Sequence, residues 1–428
     1  VQKQQRPLLA TGAVAQSKRF LPTVVELLVH RLLTPKAASP STHRSPDTRK
    51  RGAISWSEQQ RRALDAIQAW QQQRDQPFFY LAGYAGTGKS TLAAEVARRT
   101  KGEVLFAALS GKAAQVMRER GCADATTIDS LIYRPQLEAS CSARPPCSNP
   151  PCEQRCRYAR ERWIGRDLNP DSDVRDADLL IVDEVSTLGA EMGRDLLSFG
   201  VPVLVLGDTA QLPPIGNVGF FTNHEPDFQL TEIHRQAMGS PVIQLATAAR
   251  ECRPLRRGKY GDSAVVYEAS TADLLNVDQV IVGTHRTRHR INKEMRRALG
   301  FGGSTPEVGE KVICLKNNRR LGLRNGTLWT VTKVASLGGG FVEMTVEDDD
   351  GRAVGVVAPE EGFSSYGAGA DLPENPFAFG YAITCHKAQG SQWGSVLVID
   401  ESWVFREQRW CWLYTAITRA AQRVVIVS

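Results

Sequence analysis

Long hydrophobic runs are missing from this chain of 428 residues. No apolar stretch approaches the roughly 18 residues that a membrane-crossing helix needs, which argues against a helical span. A broad charge excess is missing too. The formal net charge is +7, but residues 1–53 hold ten lysines and arginines against only Glu26 and Asp47. The remaining 375 residues carry 43 basic and 44 acidic side chains, so any surface for an anionic partner there must be local. Nor do the nine cysteines suggest a secreted disulfide scaffold, since Cys122, Cys252, Cys314, Cys385 and Cys411 are scattered as buried or idle thiols would be. The basic tail is rich in proline, serine, threonine and arginine and reads as a disordered extension, with one short amphipathic helix conceivable over Phe20–Leu33. An organelle-targeting role for it is the lesser reading.

What is present begins with Gly83-Tyr84-Ala85-Gly86-Thr87-Gly88-Lys89-Ser90, which fits G-x-x-x-x-G-K-[ST]. The apolar run Phe78–Ala82 before it predicts a buried strand, and Thr91–Arg99 after it predicts a helix. Glycines let the backbone wrap a phosphate, and the amides opening the helix point at its charge. Gly83, Ala85, Gly86, Thr87, Gly88, Lys89, Ser90 and Thr91 are therefore expected to bind ATP or GTP. Lys89 is expected to reach the β and γ phosphates and Ser90 to hold magnesium.

About 100 residues on, Leu179–Asp183 predicts a second apolar strand, ending in the acids Asp183 and Glu184. Such a pair suits a metal-holding carboxylate (Asp183, through water) and a group that orients or deprotonates an attacking water (Glu184). A third strand, Val203–Leu206, runs into Gly207-Asp208-Thr209-Ala210-Gln211-Leu212-Pro213-Pro214. Gln211 there is either a γ-phosphate sensor or part of a polar turn.

The string of motifs resembles the helicases of superfamily 1, in particular the RecD-like and Dda-like branch that moves 5′ to 3′ on single-stranded DNA. Ser57–Gln60 is similar to the family's Q motif, Leu109–Ala114 to motif Ia and Thr126–Leu131 to motif Ib. Leu230–Gln236 resembles motif IV, Tyr381–Trp393 motif V and Tyr414–Ala420 motif VI, all in the family's order from about Ile54 to the C-terminus. The resemblance favours the sensor role for Gln211. It implies that Gln60 reads the adenine edge, that Gly390 joins the ATP site, and that Arg235 and Arg419 act as arginine fingers. It further implies a DNA contact set of Lys112, Thr127, Ser130, Arg286, Asn325, Thr384, His386, Lys387 and Trp393. Asn325, in Asn325-Gly326, reads equally well as a hairpin turn. Trp410 and Trp412 are expected in the core instead. Asp129 departs from the family, which usually carries histidine there, and a carboxylate beside a phosphate backbone is expected to weaken that contact.

The fold class expected is α/β, with two RecA-like P-loop lobes built on parallel sheets and ATP between them. The first lobe covers 54–132 and 177–222, and the second covers 223–309 and 377–428. Residues 310–363 alternate apolar and polar positions around Gly338-Gly339-Gly340 and Asp348–Gly351, which predicts a small antiparallel β unit, and 364–376, rich in glycine, serine and proline, read as its exit linker, so that the insert spans 310–376. In the family a small β-barrel sits there. Residues 133–176 occupy the interval of the family's duplex-splitting pin and carry Cys141, Cys147, Cys152 and Cys156 within 16 residues. Zinc, idle thiols or disulfides, and an iron–sulfur cluster all remain open for these four, with zinc favoured.

The function expected is an ATP-dependent 5′-to-3′ DNA helicase using ATP and Mg2+. A single-strand translocase without unwinding, or an ATPase switch on nucleic acid, is the alternative. Expected partners are single-stranded and forked DNA, with single-strand-binding or replication and recombination proteins as candidates and no membrane. A monomer in the cytoplasm of a bacterial or phage-infected cell is expected, and replication, repair and recombination stay equally open.

Overall fold

The computed structural model of the chain describes residues 55–122, 124–141, 159–213, 219–233, 239–318, 320–349, 351–364 and 375–428. The basic tail over 1–53, Arg235, Cys147, Cys152 and Cys156 lie outside the described residues.

The chain enters through the helix Glu58–Gln73. Ser57 caps it, and Gln60 completes the capping box. Ala63, Leu64, Ile67 and Trp70 face inward at helical spacing, and Trp70 meets Phe79 with ring centroids 5.7 Å apart. Then follow β1 (Phe78–Gly83), the helix Lys89–Arg99, β2 (Val104–Ala108), the helix Gly111–Glu119, β3 (Thr126–Thr127) and the short helix Ile128–Ile132. A two-stranded antiparallel ribbon comes next, with β4 (Tyr133–Cys141) paired to β5 (Ala159–Leu168) from Tyr133↔Leu168 to Cys141↔Ala159. After it the chain returns as β6 (Leu179–Asp183), β7 (Val203–Gly207) and β8 (Phe228–Leu230).

Six of these strands form a first sheet in the order β3-β2-β6-β7-β1-β8, with every pairing parallel. β6 and β7 are continuous apolar runs because helices cover both faces of a parallel sheet, so no alternation is needed. The order puts the ends of β1, β6 and β7 side by side, where an open α/β sheet places its ligand.

A second sheet collects β9 (Gly258–Tyr260), β10 (Ser263–Val266) and β11 (Gln279–Val282) with strands from the end of the chain. Between β11 and those strands lie the helix His285–Ala298 and a five-stranded antiparallel sheet. That sheet comprises β12 (Lys311–Cys314), β13 (Leu328–Gly338), β14 (Phe341–Glu347), β15 (Ala353–Pro359) and β16 (Phe377–Phe379), in the order β15-β14-β13-β12-β16. Val342, Met344 and Val346 alternate inward opposite Ala358, Val356 and Val331 respectively, as the period-2 pattern predicts. Gly338, Gly339 and Gly340 turn β13 into β14 with φ of 70°, 65° and 81°, a left-handed run that favours glycine. Then β17 (Ala382–Thr384), β18 (Trp393–Ile399), the helix Arg409–Ile417 and β19 (Ala420–Val427) complete the second sheet as β17-β11-β18-β19-β10-β9. All its pairings are parallel except the β9–β10 edge.

The antiparallel sheet and the second sheet share one core, in which Val331, Val346 and Phe377 pack with Val280, Val282 and Leu397. A buried ion pair pins that junction. Glu310, fully buried ahead of β12, takes Arg296 Nε at 2.6 Å and Nη2 at 2.9 Å, while the same guanidinium donates to the carbonyls of Gly303 and Thr305. Removing one partner of such a pair strands the other charge without water. Glu310→Ala is therefore expected to cost about 3–5 kcal/mol of stability. A fall in the thermal midpoint of several degrees would show it, and an unchanged midpoint would contradict the role given to the pair.

Candidate functional site

The loop between β1 and the helix Lys89–Arg99 is shaped by its glycines. Gly86 and Gly88 have φ of 82° and 83°, and a Cβ on Gly83 would lie 2.7 Å from Thr87 Oγ1. Thr87 Oγ1 donates to the Tyr84 carbonyl at 2.8 Å, and Lys89 Nζ donates to the Gly83 and Tyr84 carbonyls, so the lysine closes its own loop. A cavity of about 620 Å3 opens in front of it, lined by Lys89, Ser90, Asp183, Glu184, Gln211 and Arg419 among others.

The strand ends supply its negative charge. Burial, and then the neighbouring Glu184, push the Asp183 carboxyl up to about 6 against the pull of Lys89. Glu184 stands at φ 58°, a left-handed position for a non-glycine residue. Asp208 is 3% exposed, and burial raises its carboxyl above the usual range against Lys89 and Tyr414. Among the described residues, the buried amide oxygen of Gln211 has no hydrogen-bond partner. An orphan acceptor beside an open cavity is a group waiting for a donor outside the protein.

The second sheet closes the cavity from the other side. Arg419 is 4% exposed and held by three donations: Nε to the Thr415 carbonyl, Nη1 to the Ser391 carbonyl, and Nη2 to Thr418 Oγ1. Its Nη1 lies 4.0 Å from Glu184 Oε1. Thr91 and Gly390 also line the cavity. A Cβ on Gly390 would lie 2.7 Å from Ser110 Oγ, so this glycine lets the loop after β17 approach the one after β2. Tyr414 Oη accepts from the Ala85 N–H at 2.8 Å and donates to Asp208 Oδ2 at 2.6 Å. Thr415 Oγ1 accepts from the Leu212 N–H at 2.9 Å.

Other expected residues are placed differently. Gln60 is 4% exposed and does not line the cavity. Its Nε2 donates to the Thr87 carbonyl at 3.2 Å, and its Oε1 accepts from the Ser57 N–H, so the amide braces the loop from below. Asp129 is not left facing a phosphate alone, because Arg166 on β5 pairs with it at 3.3 Å and stacks 4.1 Å over the Tyr133 ring. Trp393 is half-buried against the core of the second sheet, with its N–H bonded to the Arg419 carbonyl, so its ring belongs to packing. Trp412 is fully buried and Trp410 packs against the same core.

Of the remaining expected set, Asn325 and Lys387 are brought together, with Lys387 Nζ donating to Asn325 Oδ1 at 2.7 Å. Burial lowers the pKa of Lys387 and of its neighbour His386. Lys112 donates to Gln115, and Thr127 Oγ1 caps the helix Ile128–Ile132 by accepting from the Ser130 N–H. Arg286 is exposed near the start of the helix His285–Ala298, whereas Thr384 is only 6% exposed.

Three residues escaped sequence reasoning. Arg120 donates to Ser90 Oγ at 3.1 Å and to Gln392 Oε1 at 3.0 Å, bridging the two sheets at the cavity mouth. Tyr414 opens the stretch that resembles motif VI, but nothing local marks it as a bridge. Arg324 lies against Gly111, where an added Cβ would sit 2.3 Å from its Cδ, so it joins the antiparallel sheet to the first sheet's helix. Among the described residues no cluster of three His, Cys, Asp or Glu side chains suited to a metal ion exists, and no helix is long and apolar enough to cross a membrane.

Two family descriptions match the chain: "AAA domain" over residues 55–271 and "UvrD-like helicase C-terminal domain" over residues 379–427. The ATP-dependent RecD2 DNA helicase of Deinococcus radiodurans is 28% identical over 462 residues, spanning 97% of this chain and 56% of that protein. The chain belongs to the AAA-domain family, as a RecD/Pif1-like member of helicase superfamily 1. It spans about half the length of the curated relatives it matches. The ATP-dependent DNA helicase Pif1 of a Psychrobacter species is 27% identical over 244 residues, 42% of this chain and 36% of that protein. A solved structure of two coordinating Pif1 helicases at forked dsDNA matches the fold with a TM-score of 0.50. It is 18% identical and covers 88% of this chain and 92% of that one.

In this RecD/Pif1-like chain the Tyr414 hydroxyl links the phosphate-loop backbone to the helix Arg409–Ile417 of the second sheet. Tyr414→Phe would leave Asp208 and the Ala85 N–H each one partner short, at a cost of about 1–3 kcal/mol. Chemical denaturation measures it. A variant as stable as the parent would mean that the hydroxyl bridge carries no energy.

Proposed function

We propose that the chain is the motor of an ATP-dependent DNA helicase that moves 5′ to 3′ along a single strand. The observation that carries this reading is the Arg419 guanidinium, held by the second sheet 4.0 Å from Glu184 at the strand ends of the first. A nucleotide between them would touch both sheets, so its arrival and hydrolysis would change their spacing. We assign residues 54–132 and 177–222 to one RecA-like lobe, and 223–309 and 377–428 to the other.

Within that site Lys89 and the loop amides hold the phosphates, Glu184 orients the attacking water, and Gln211 and Arg419 stabilise charge developing on the γ-phosphate. Arg235 is assigned the same role from its motif. Ser90 and Asp183 fit a magnesium ion, since a hydroxyl and a buried carboxylate with a raised pKa both line the cavity. Bound magnesium would neutralise phosphate charge, and Arg120 must then release Ser90 Oγ.

The strand path is read along Lys112, Thr127 and Ser130 on the first sheet's side, then Asn325, Lys387, His386 and Arg286 on the other. Arg324 against Gly111 makes that strip continuous. We read residues 310–376 as the small β-barrel that braces this path. The β4–β5 ribbon is read as the pin, its base fixed by the Asp129–Arg166 pair. Strand pairing sets Cys141 opposite Ala159, three residues after Cys156, which supports a zinc ion closing the tip through Cys141, Cys147, Cys152 and Cys156. Metal analysis of Cys147→Ser with Cys152→Ser is expected to show zinc lost and strand separation impaired, and equal zinc content in both proteins would remove the metal from the account.

ATP turnover with and without single-stranded DNA tests the motor itself. Single strands are expected to raise turnover at least tenfold, Lys89→Ala to abolish it, and Arg419→Ala to lower kcat by about a hundredfold or more. Turnover indifferent to DNA would sink the proposal. Stimulated turnover that never opens a duplex would favour a translocase.

A further inference from the structure

One face of the helix Gly111–Glu119 looks into the cavity in front of the phosphate loop. Ala113, Val116 and Arg120 all line it, at spacings of three and four residues that share a helical side. Ala113 and Val116 are apolar, so Arg120 brings that face its charge. The Arg120 N–H closes the helix on the Val116 and Met117 carbonyls, which fixes the backbone that the side chain reaches from. Its Nη1 donates to Ser90 Oγ at 3.1 Å, and its Nη2 donates to Gln392 Oε1 at 3.0 Å. Gln392 directly precedes β18, so the second sheet braces the guanidinium. Both acceptors are neutral and the side chain is exposed, so no core packing moves when it lets go.

Ser90 is also the hydroxyl that fits magnesium. Lys89, the neighbouring cation, is turned to the Gly83 and Tyr84 carbonyls, and it is Arg120 that sits on the hydroxyl. Burial and then Glu184 raise the Asp183 carboxyl, and Arg120 is among the groups that oppose the rise. The guanidinium's charge is therefore felt at both residues that fit the metal. A hydroxyl oxygen has two lone pairs, so geometry alone lets it serve two partners. Electrostatics does not, because a guanidinium and a divalent cation on one oxygen repel each other. Phosphates at this hydroxyl take their positive charge from one or the other.

We propose that Arg120, held in place by Gln392, competes with magnesium for Ser90 Oγ and so sets how much the metal adds to nucleotide binding. The inference rests on the magnesium assignment given under Proposed function and deepens it. The test uses the full chain and a fluorescent, non-hydrolysable ATP analogue, with binding followed by anisotropy in magnesium and in EDTA. The quantity read is the magnesium enhancement, the affinity with metal divided by the affinity without. Losing the guanidinium removes charge from the metal-free complex and a competitor from the metal complex. Arg120→Ala is therefore expected to raise the enhancement about tenfold over the parent, the worth of one charge-assisted hydrogen bond. Both affinities are read on the same protein, so a change in its stability cancels from the ratio. Arg120→Lys keeps the positive charge and is expected to stay near the parent. Gln392→Ala removes the brace alone and is expected to fall between the parent and Arg120→Ala. An enhancement equal in Arg120→Ala and the parent would overturn the proposal. A rise of the same size in Arg120→Lys would overturn it too, since the effect would then follow shape and not charge. An unchanged value in Gln392→Ala would overturn the part given to the brace. A parent that binds the analogue equally with and without magnesium would overturn the metal assignment itself, a failure distinct from the others.

Discussion

One tyrosine hydroxyl holds the two halves of the candidate site in register. Tyr414 Oη takes the Ala85 N–H of the phosphate loop and gives its proton to Asp208, so a single atom touches the ends of β1, β7 and the helix before β19. Everything else at the cavity depends on that spacing. Arg419 reaches toward Glu184 because it follows Tyr414 by five residues, just beyond the end of the same helix. Gly390 can approach Ser110 only if the two sheets are already this close. A wider cleft would leave Gln211 and Arg419 without a common ligand, and a narrower one would leave no room for phosphates.

The charges make the same point. Asp183 and Asp208 are pushed toward their neutral forms by burial, and Lys89 opposes this from the loop. Two buried carboxylates around one lysine are poorly compensated, a condition that structural ion pairs rarely leave standing. The Arg296–Glu310 pair shows the contrast. It is buried too, but its guanidinium nitrogens are all aimed at carboxylate or carbonyl oxygens, and it does no more than fix a junction. Uncompensated charge marks the place that takes a ligand, and compensated charge marks the scaffold.

Much of this was legible in the sequence because it is local. The strand before the phosphate loop was expected over Phe78–Ala82 and runs Phe78–Gly83, and the strand ending in Asp183 begins at Leu179 as its apolar run indicates. The alternation in 310–363 specified an antiparallel sheet because one face of each strand must be buried. What stayed hidden depends on contacts between distant segments. Gln60 looked like a base reader, yet its amide is satisfied by Ser57 and Thr87 beneath the loop. Asp129 looked like a liability until Arg166, 37 residues away on the ribbon, supplied its counter-charge. Arg120 gave no local signal, because its partners Ser90 and Gln392 lie on different sheets. Trp393 could not be assigned by type alone, since an indole suits a core and a base stack equally well.

In the proposed motor, nucleotide-driven change in the cleft moves the chain along one strand in one direction. Unwinding of duplexes bearing either a 5′ or a 3′ single-stranded tail, with ATP and a Lys89→Ala control, tests it most directly. Opening of the 5′-tailed duplex alone is expected, with none by the control. Opening from the 3′ tail, or equal opening of both, would contradict it.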